Sequence, residues 1–187
     1  MAGIESVGLS FQEFARWFSR SRGSYGPVLA GLCNGFEGWL KIEFYRWLVT
    51  ERGLAANVDV LLEPKVKLDQ RARPGRDEKS CDMKILTADG RRFHFVELKA
   101  PFANFNSGKV LKGAGRDLWY VKHLRAKAER AATGSAVVVG VGFDEEHWNR
   151  GRATLRQAAF VPADFEVADT GRLAGGLRWD VWTHAYA

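Results

Sequence analysis

The chain has 187 residues, of which 46% are hydrophobic and 27% are charged, and its net charge is +6. This size and balance are typical of one globular domain with a single core. No apolar run approaches the roughly 20 residues of a membrane-spanning helix, and the first residues lack the pattern of a secretory signal. We therefore expect a cytoplasmic protein that does not enter a membrane. The basic charge favours an anionic partner, most commonly a nucleic acid.

The first third of the chain is predicted to be helical. Ser10 is a plausible N-cap for a helix over 11–22, which Gly23 would end. A second helix is predicted over 35–52, because apolar residues recur on one face at helical spacing: Phe36, Leu40, Phe44 and Trp47.

The pattern then changes to that of strands. Residues 58–69 are predicted to be extended, with a break at Pro64, and the polar segment 70–79 is predicted to be a loop. Residues 80–100 are typical of a β-hairpin, because the Asp89-Gly90 turn separates two alternating runs. The remaining predicted elements are, in order, a glycine-punctuated loop (101–115), a helix from about 116 to 132, a buried strand (135–143), a helix (144–160) and a last strand (177–186).

This order predicts an α/β fold in which a central mixed β-sheet is flanked by helices. We expect one domain, with a helical extension at 1–34, a core at 35–142, and a C-terminal helix and strand at 143–187.

Three polar residues of the hairpin are predicted to meet at one edge of the sheet. Glu97 and Lys99 point to the same face because side chains alternate along a strand. Counting back through the turn places Asp82 near Glu97. Two carboxylates this close repel each other unless a cation lies between them, and such oxygen ligands suit Mg²⁺ or Mn²⁺. A lysine beside the metal can orient an attacking water and offset charge on a phosphate.

On these residues the chain resembles the PD-(D/E)XK nuclease superfamily, whose restriction-endonuclease-like core has the order αβββαβ. The matching positions are Cys81-Asp82 and Glu97-Leu98-Lys99. The resemblance implies that Asp82, Glu97 and the Leu98 carbonyl bind the metal and that Lys99 is the catalytic lysine. Cys81 stands where a proline often precedes the first acid of the family.

The same resemblance implies a glutamate from the first core helix. Glu43 lies on the apolar face, and a buried carboxylate needs a compensating cation. Glu37 lies nearer the edge of that face and has Lys41 four residues on. We favour Glu43 over Glu37, and Glu63 is a further acid that could face the site.

Basic residues lie on both sides of these acids along the chain and are expected to contact phosphates. They are Arg71, Arg73, Arg76, Lys109, Lys112, Arg116 and Lys122. His94 is expected at the surface, and Cys33 and Cys81 are expected to be reduced, buried thiols.

The sequence thus predicts a Mg²⁺-dependent nuclease acting on DNA with little sequence preference, in which a homodimer would help to cut both strands. Two other functions stay open. One is a module on the same fold that binds nucleic acid or protein without cutting. The other is an interaction protein, for which the aromatic segment near the C-terminus would be the surface.

Overall fold

The computed structural model describes residues 3–25, 27–28, 36–68, 78–100, 107–140, 149, 153 and 166–186, with the backbone alone at 107–114, 140 and 175. The described helices are α1 (Val7–Ser21), α2 (Glu37–Thr50), α3 (Ser107–Lys122) and α4 (Ala126–Glu129), with a 3₁₀ turn at Ala174–Gly176. The described strands are β1 (Val60–Leu62), β2 (Lys65–Lys67), β3 (Glu78–Ser80), β4 (Met83–Leu86), β5 (Phe93–Lys99), β6 (Ala131–Gly140), β7 (Glu166–Arg172) and β8 (Arg178–Ala185). Among these helices, none is long and apolar enough to cross a membrane.

Six of the strands form one mixed sheet in the order β1-β4-β5-β6-β8-β7. β5 and β6 are parallel and α3 lies between them in the chain, whereas the other neighbouring strands are antiparallel. A parallel pair needs such a crossover connection, usually a helix. The prediction of an α/β fold with a mixed sheet and flanking helices is confirmed.

Two hydrophobic clusters cover the two faces of this sheet. On one face α1 and α2 pack against alternate residues of the strands, among them Met83, Val96 and Leu98. On the other face Leu118 and Val121 of α3 pack against a set that includes Phe95. Successive residues of β5 therefore point to opposite faces, as the pleat of a strand requires.

The ends of the first two helices differ slightly from the prediction. Ser6, not Ser10, caps α1, because Leu9 N–H donates to Ser6 Oγ at 3.2 Å, while Ser10 is buried inside the helix. The side chain of an N-cap residue accepts a hydrogen bond from a backbone N–H of the first helical turn, and a residue inside the helix is not placed to do so. Helix α2 falls within the predicted range.

One antiparallel ribbon runs from the sheet onto the face that α3 covers. Leu62 pairs with Met83 in the sheet, and Lys65 pairs with Ser80 in the two-stranded β2–β3 sheet, so the register is the same in both. Backbone hydrogen bonds join the two parts, from Glu63 N to Asp82 O (2.9 Å) and from Cys81 N to Pro64 O (3.0 Å). The ribbon bends at these two steps because Pro64 lacks an N–H and Glu63 adopts a positive φ of 48°.

The β2–β3 ribbon corrects the prediction that 70–79 is entirely a loop. Glu78 and Lys79 belong to β3, and 69–77 lie outside the described residues. The apolar side chains Val66 and Leu68 hold the ribbon against Leu118 of α3. Burial of these residues favours a strand in a segment whose composition alone predicts a loop.

The segment after the hairpin was also predicted incorrectly. Helix α3 begins at Ser107, so 107–115 is helical rather than a loop, while 101–106 lie outside the described residues. A glycine costs a helix only about 1 kcal/mol, which tertiary packing overrides. The predicted helix to Ala132 is interrupted after Lys122, and β6 already begins at Ala131. The end of the predicted strand at 141–143 and nearly all of the predicted helix at 144–160 lie outside the described residues.

Two further findings differ from the sequence-based view. The strand β7 was missed, because its sequence EVADTGR lacks the apolar alternation typical of strands. His94 is buried rather than at the surface, since Nδ1 lies 2.9 Å from Thr133 Oγ1 and Nε2 lies 3.2 Å from the Ile4 carbonyl oxygen. Cys81 is a buried free thiol, as predicted, and Cys33 lies outside the described residues.

The buried imidazole of His94 predicts a pH-dependent stability. Burial is the main cause that lowers the pKa of His94 below 6.5, and Arg92 adds to it. As the pH falls through 6.5, His94 therefore binds a proton in the unfolded chain but stays neutral in the folded chain. The contribution of the neutral His94 to stability is thus present above pH 6.5 and is lost as the pH falls. We expect His94 to contribute a fall in the free energy of unfolding between pH 7 and 5.5, seen in urea denaturation as the difference between wild type and His94→Gln.

Over this pH range the variant His94→Gln should lose less stability than wild type, or gain more. His123→Gln, which changes a half-buried histidine elsewhere, is the control and should keep the wild-type slope. Equal slopes for wild type and His94→Gln would contradict the prediction.

Candidate active site

Asp82 lies at the bend of the ribbon, just before β4. The β4–β5 register pairs Met83 with Val96, so one step further Asp82 lies opposite Glu97, as the hairpin count predicted. Leu98 N–H of β5 donates a hydrogen bond to Asp82 Oδ2 at 2.8 Å. The bend thus directs the Asp82 carboxylate at the main chain of the Glu97-Leu98-Lys99 tripeptide.

Lys41 of α2 covers the other oxygen of Asp82. Its Nζ lies 3.2 Å from Asp82 Oδ1 and 2.6 Å from Glu63 Oε1. Burial lowers the pKa of Lys41, but the two carboxylates outweigh burial, and the net pKa is raised. Lys41 is therefore an ammonium that links α2 to the bend of the ribbon.

Glu97 is a buried carboxylate on the face that α3 covers. It is 4% exposed, and its Oε1 lies 2.6 Å from Lys79 Nζ, which also lies 2.9 Å from Asp117 Oδ1. Burial raises the pKa of Glu97 to about 8, and the nearby Asp117 and Asp82 carboxylates add to this, while Lys79 opposes it. A charge on Glu97 is therefore costly in this arrangement.

Lys99 emerges two residues further on the same strand. Its Nζ lies 3.0 Å from Glu37 Oε1 at the start of α2 and 3.1 Å from Asp117 Oδ2. Burial lowers the pKa of Lys99, but Asp117 and Glu37 outweigh it and raise the pKa above its usual range. Lys99 thus stays protonated, and Asp117 bridges Lys99 and Lys79.

These contacts form two ion-pair networks, one centred on Lys41 and the other on Lys79, Asp117 and Lys99. The two networks meet where Asp82 lies opposite Glu97, at the corner where the ribbon leaves the sheet, and we call their members together the corner cluster. Its members are Glu37, Lys41, Glu63, Lys79, Asp82, Glu97, Lys99 and Asp117. Five carboxylates face three ammonium groups, an excess of two negative charges when all are ionised. The structure therefore brings Asp82, Glu97 and Lys99 together, although each carboxylate of the trio contacts a different lysine.

Of the two helix glutamates, Glu37 is the one in the corner cluster. Glu43 contacts Arg46 instead, with 3.0 Å between Oε2 and Nη2. The preference for Glu43 is thus not supported by the contacts, because an arginine three residues along its own helix neutralises it. Glu63 does reach the cluster, through Lys41.

We therefore expect Glu37→Gln to lower any metal-dependent cleavage at least tenfold, because Glu37 positions the Lys99 ammonium. Glu43→Gln should leave the rate within about twofold of wild type, since its partner is outside the cluster. Initial cleavage rates of the purified variants test this, with circular dichroism to show that both fold. A larger loss of cleavage rate for Glu43→Gln than for Glu37→Gln would indicate that Glu43 is the functional glutamate of the helix.

The structure describes the side chains of only two of the basic residues predicted to contact phosphate. Arg71, Arg73 and Arg76 lie outside the described residues, as do the side chains of Lys109 and Lys112. Arg116 is exposed and Lys122 is half-buried, both in the second half of α3. Their role stays a prediction.

Sequence reasoning missed three members of the corner cluster. Asp117 carried a usable signal, since it directly precedes Leu118 on an amphipathic helix that follows the tripeptide. Lys41 was noted only as a partner of Glu37. Lys79 gave no signal, because its position depends on the bend of the ribbon, which composition does not reveal.

The donor set at the corner suits a hard divalent cation in its chemistry. Asp82, Glu97 and the Leu98 carbonyl are all oxygen ligands, and Mg²⁺ commonly combines one or two carboxylates with water. A bound divalent cation would favour the ionised form of Glu97, and it would balance the excess of two negative charges present when all five carboxylates are ionised. In the described part of the chain, no three acidic, histidine or cysteine side chains form a ready metal-binding group. A metal here would therefore rest on two carboxylates.

Comparisons with protein-family models, with curated proteins and with solved structures found no match for this chain.

Proposed function

We propose that the protein is a divalent-metal-dependent nuclease that hydrolyses phosphodiester bonds in DNA. The observation that carries the proposal is the corner cluster, where Asp82 and Glu97 lie opposite each other and Lys99 is linked to Glu97 through Asp117 and Lys79. A solvated ion pair at a sheet edge would not need Glu97 to be 4% exposed, since burying a carboxylate is costly. Such costs are typical of functional sites.

The order of elements around the cluster supports membership of the PD-(D/E)XK nuclease superfamily. Helix α2 is followed by β1, β4 and β5, then by α3 and the parallel strand β6, with the small β2–β3 ribbon inserted after β1. This is the αβββαβ order that the resemblance implies. Within it, the acids and the lysine occupy the ends of the second and third sheet strands.

In this proposal Asp82, Glu97 and the Leu98 carbonyl would hold Mg²⁺ or Mn²⁺. When bound, the ion supplies Lewis-acid stabilisation of charge on the phosphate. Lys99 is an ammonium, so it acts as a donor that orients the attacking water rather than as a base. Glu37 and Asp117 accept from Lys99 and fix its direction.

The reaction is a hydrolysis. The water oxygen bonds to phosphorus and gives up a proton to solvent, one phosphorus–oxygen ester bond breaks, and the leaving oxygen takes up a proton. The net charge of +6 favours binding to the polyanionic substrate. Little sequence preference is proposed, and a homodimer would place two sites on opposite strands.

Cleavage of supercoiled plasmid, linear duplex, single-stranded DNA and RNA with Mg²⁺ or Mn²⁺ tests the proposal, with EDTA as the control. We expect DNA cleavage that EDTA abolishes. Absence of cleavage with either metal, or equal cleavage by Glu97→Ala, would overturn it.

A second candidate is a non-catalytic binding module on the same fold. The observation that favours it is that every carboxylate of the corner cluster already contacts a lysine, so each has a cationic partner without a metal. Calorimetric titration with Mn²⁺ discriminates the two, because a binding module should show no divalent site that depends on Asp82.

A further inference from the structure

We infer that the Lys79 ammonium is an internal counter-ion that competes with a divalent cation for Glu97, so that cation binding requires Lys79 to leave this carboxylate. The inference rests on the proposed function, since it concerns access of the metal to the same site. It assigns a role to a residue outside the Asp-Glu-Lys trio.

The contacts of Lys79 distinguish it from the other two lysines. Lys79 Nζ lies 2.6 Å from Glu97 Oε1, the shortest described contact of that carboxylate. Lys99 contacts Glu37 and Asp117 instead, and neither of these is a proposed metal ligand. Lys41 contacts Asp82 at 3.2 Å, but its closer partner is Glu63, at 2.6 Å.

A metal and this ammonium cannot share Glu97 without cost. A bound Mg²⁺ lies about 2.0–2.1 Å from its oxygen ligands, so it would be within a few ångströms of Lys79 Nζ. Like charges at that separation repel strongly in a site shielded from water. Lys79 is well shielded, with its side chain 14% exposed.

Lys79 also has a second partner to retain when it leaves Glu97. Its Nζ lies 2.9 Å from Asp117 Oδ1 and 4.6 Å from the centre of the Tyr120 ring, both on α3. The ammonium can therefore stay neutralised on the α3 side while Glu97 turns to a metal. This makes Lys79 an exchangeable counter-ion rather than a fixed structural pair.

The first test measures Mn²⁺ binding by calorimetry for wild type, Lys79→Met and Lys79→Arg. We expect Lys79→Met to lower the Kd for Mn²⁺ at least tenfold, because the competing charge is gone while most of the stem remains. Lys79→Arg keeps the charge and should not bind more tightly than wild type.

Lys84→Met is the matched control. Lys84 is also a partly buried lysine beside aromatic rings, and its Nζ lies 3.1 Å from Glu129 Oε2, outside the corner cluster. Its substitution should leave the Kd for Mn²⁺ within twofold. A folded Lys79→Met that binds Mn²⁺ no more tightly than wild type would overturn the inference.

A second measurement uses the wild-type chain and so does not depend on a variant that folds. The rate at which an acetylating reagent modifies Lys79 is followed by mass spectrometry with and without Mn²⁺. We expect Lys79 to become at least threefold more reactive with Mn²⁺, and Lys84 to be unchanged. An unchanged or slower rate at Lys79, in protein that binds Mn²⁺, would contradict the inference.

The outcomes also separate the inference from the proposed function. If neither wild type nor Lys79→Met binds Mn²⁺, the metal site itself is wrong. If wild type binds Mn²⁺ through Asp82 and Glu97 and Lys79→Met binds equally, only the role of Lys79 is wrong. Binding by Lys79→Met alone, abolished by adding Glu97→Gln, would support both.

Discussion

Replacing Lys99 by methionine is expected to reduce metal-dependent DNA cleavage by about 10²–10³-fold, the effect of removing one preorganised donor from a site where charge develops. The Lys99 ammonium is held from two sides, by Glu37 at 3.0 Å and Asp117 at 3.1 Å, so its direction is fixed before substrate arrives. The loss should appear in the maximal rate, because the role proposed for Lys99 is to orient the attacking water rather than to bind substrate. Single-turnover cleavage of linear duplex measures it.

The fold should survive this substitution. Asp117 keeps Lys79 as a partner at 2.9 Å, and Glu37 is half-exposed and can be solvated by water. Lys84→Met, which removes a lysine of similar burial outside the corner cluster, should retain the wild-type rate. A Lys99→Met protein that folds and cleaves within fivefold of wild type would exclude Lys99 from the chemistry.

The substitution Glu97→Gln is expected to abolish metal-dependent cleavage and, at the same time, to stabilise the protein. The side chain is buried beside Asp82 and Asp117, in a cluster with more carboxylates than ammonium groups. Removing one negative charge lessens the repulsion, the amide oxygen can still accept from Lys79, and Lys79 keeps Asp117. The raised pKa of Glu97 means that folding must either bury its charge or protonate it, and a neutral amide avoids both costs.

We expect the free energy of unfolding in urea at neutral pH, without metal, to be higher for Glu97→Gln than for wild type. Asp59→Ala, just before β1, is a comparison. The Asp59 carboxylate accepts from Ala55 N–H at 2.9 Å outside the cluster, and alanine has no side-chain acceptor, so this variant should be less stable than wild type. A Glu97→Gln protein that is less stable than wild type by more than about 1 kcal/mol would indicate a structural role for the pair with Lys79.

The two predictions together separate a functional cluster from a structural one. Substituting a residue that stabilises the fold lowers the stability of the protein. A functional site often carries unfavourable charge, so substituting one of its residues can raise stability while activity is lost. An inactive but more stable Glu97→Gln protein is the result expected of a site built for function.

The sheet was predictable from the sequence because its strands carry strong local signals. The Asp89-Gly90 turn fixed the hairpin and therefore the meeting of Asp82 with Glu97, since register follows from the turn. The apolar run of β6 likewise indicated a strand buried on both faces. These features depend on residues close together in the chain.

The rest of the cluster depends on contacts between distant segments. Lys79 lies in a stretch of polar residues, and only the bend at Glu63–Pro64 carries it over Glu97. The choice between Glu37 and Glu43 depended on which turn of α2 lies beside β5, which helical spacing does not determine. The predicted start of helix α3 lies too far along the chain, because the glycines in its first half indicated a loop.

The constant register of the ribbon limits how this chain can vary in length. Between Lys79 and Asp82, a single inserted or deleted residue would turn Lys79 to the opposite face and leave Glu97 facing a different side chain. Lengthening the chain between β2 and β3 would leave the pairing of Lys65 with Ser80 unchanged. Relatives of this protein should therefore differ freely in length at 69–77, while the spacing from Lys79 to Asp82 stays fixed.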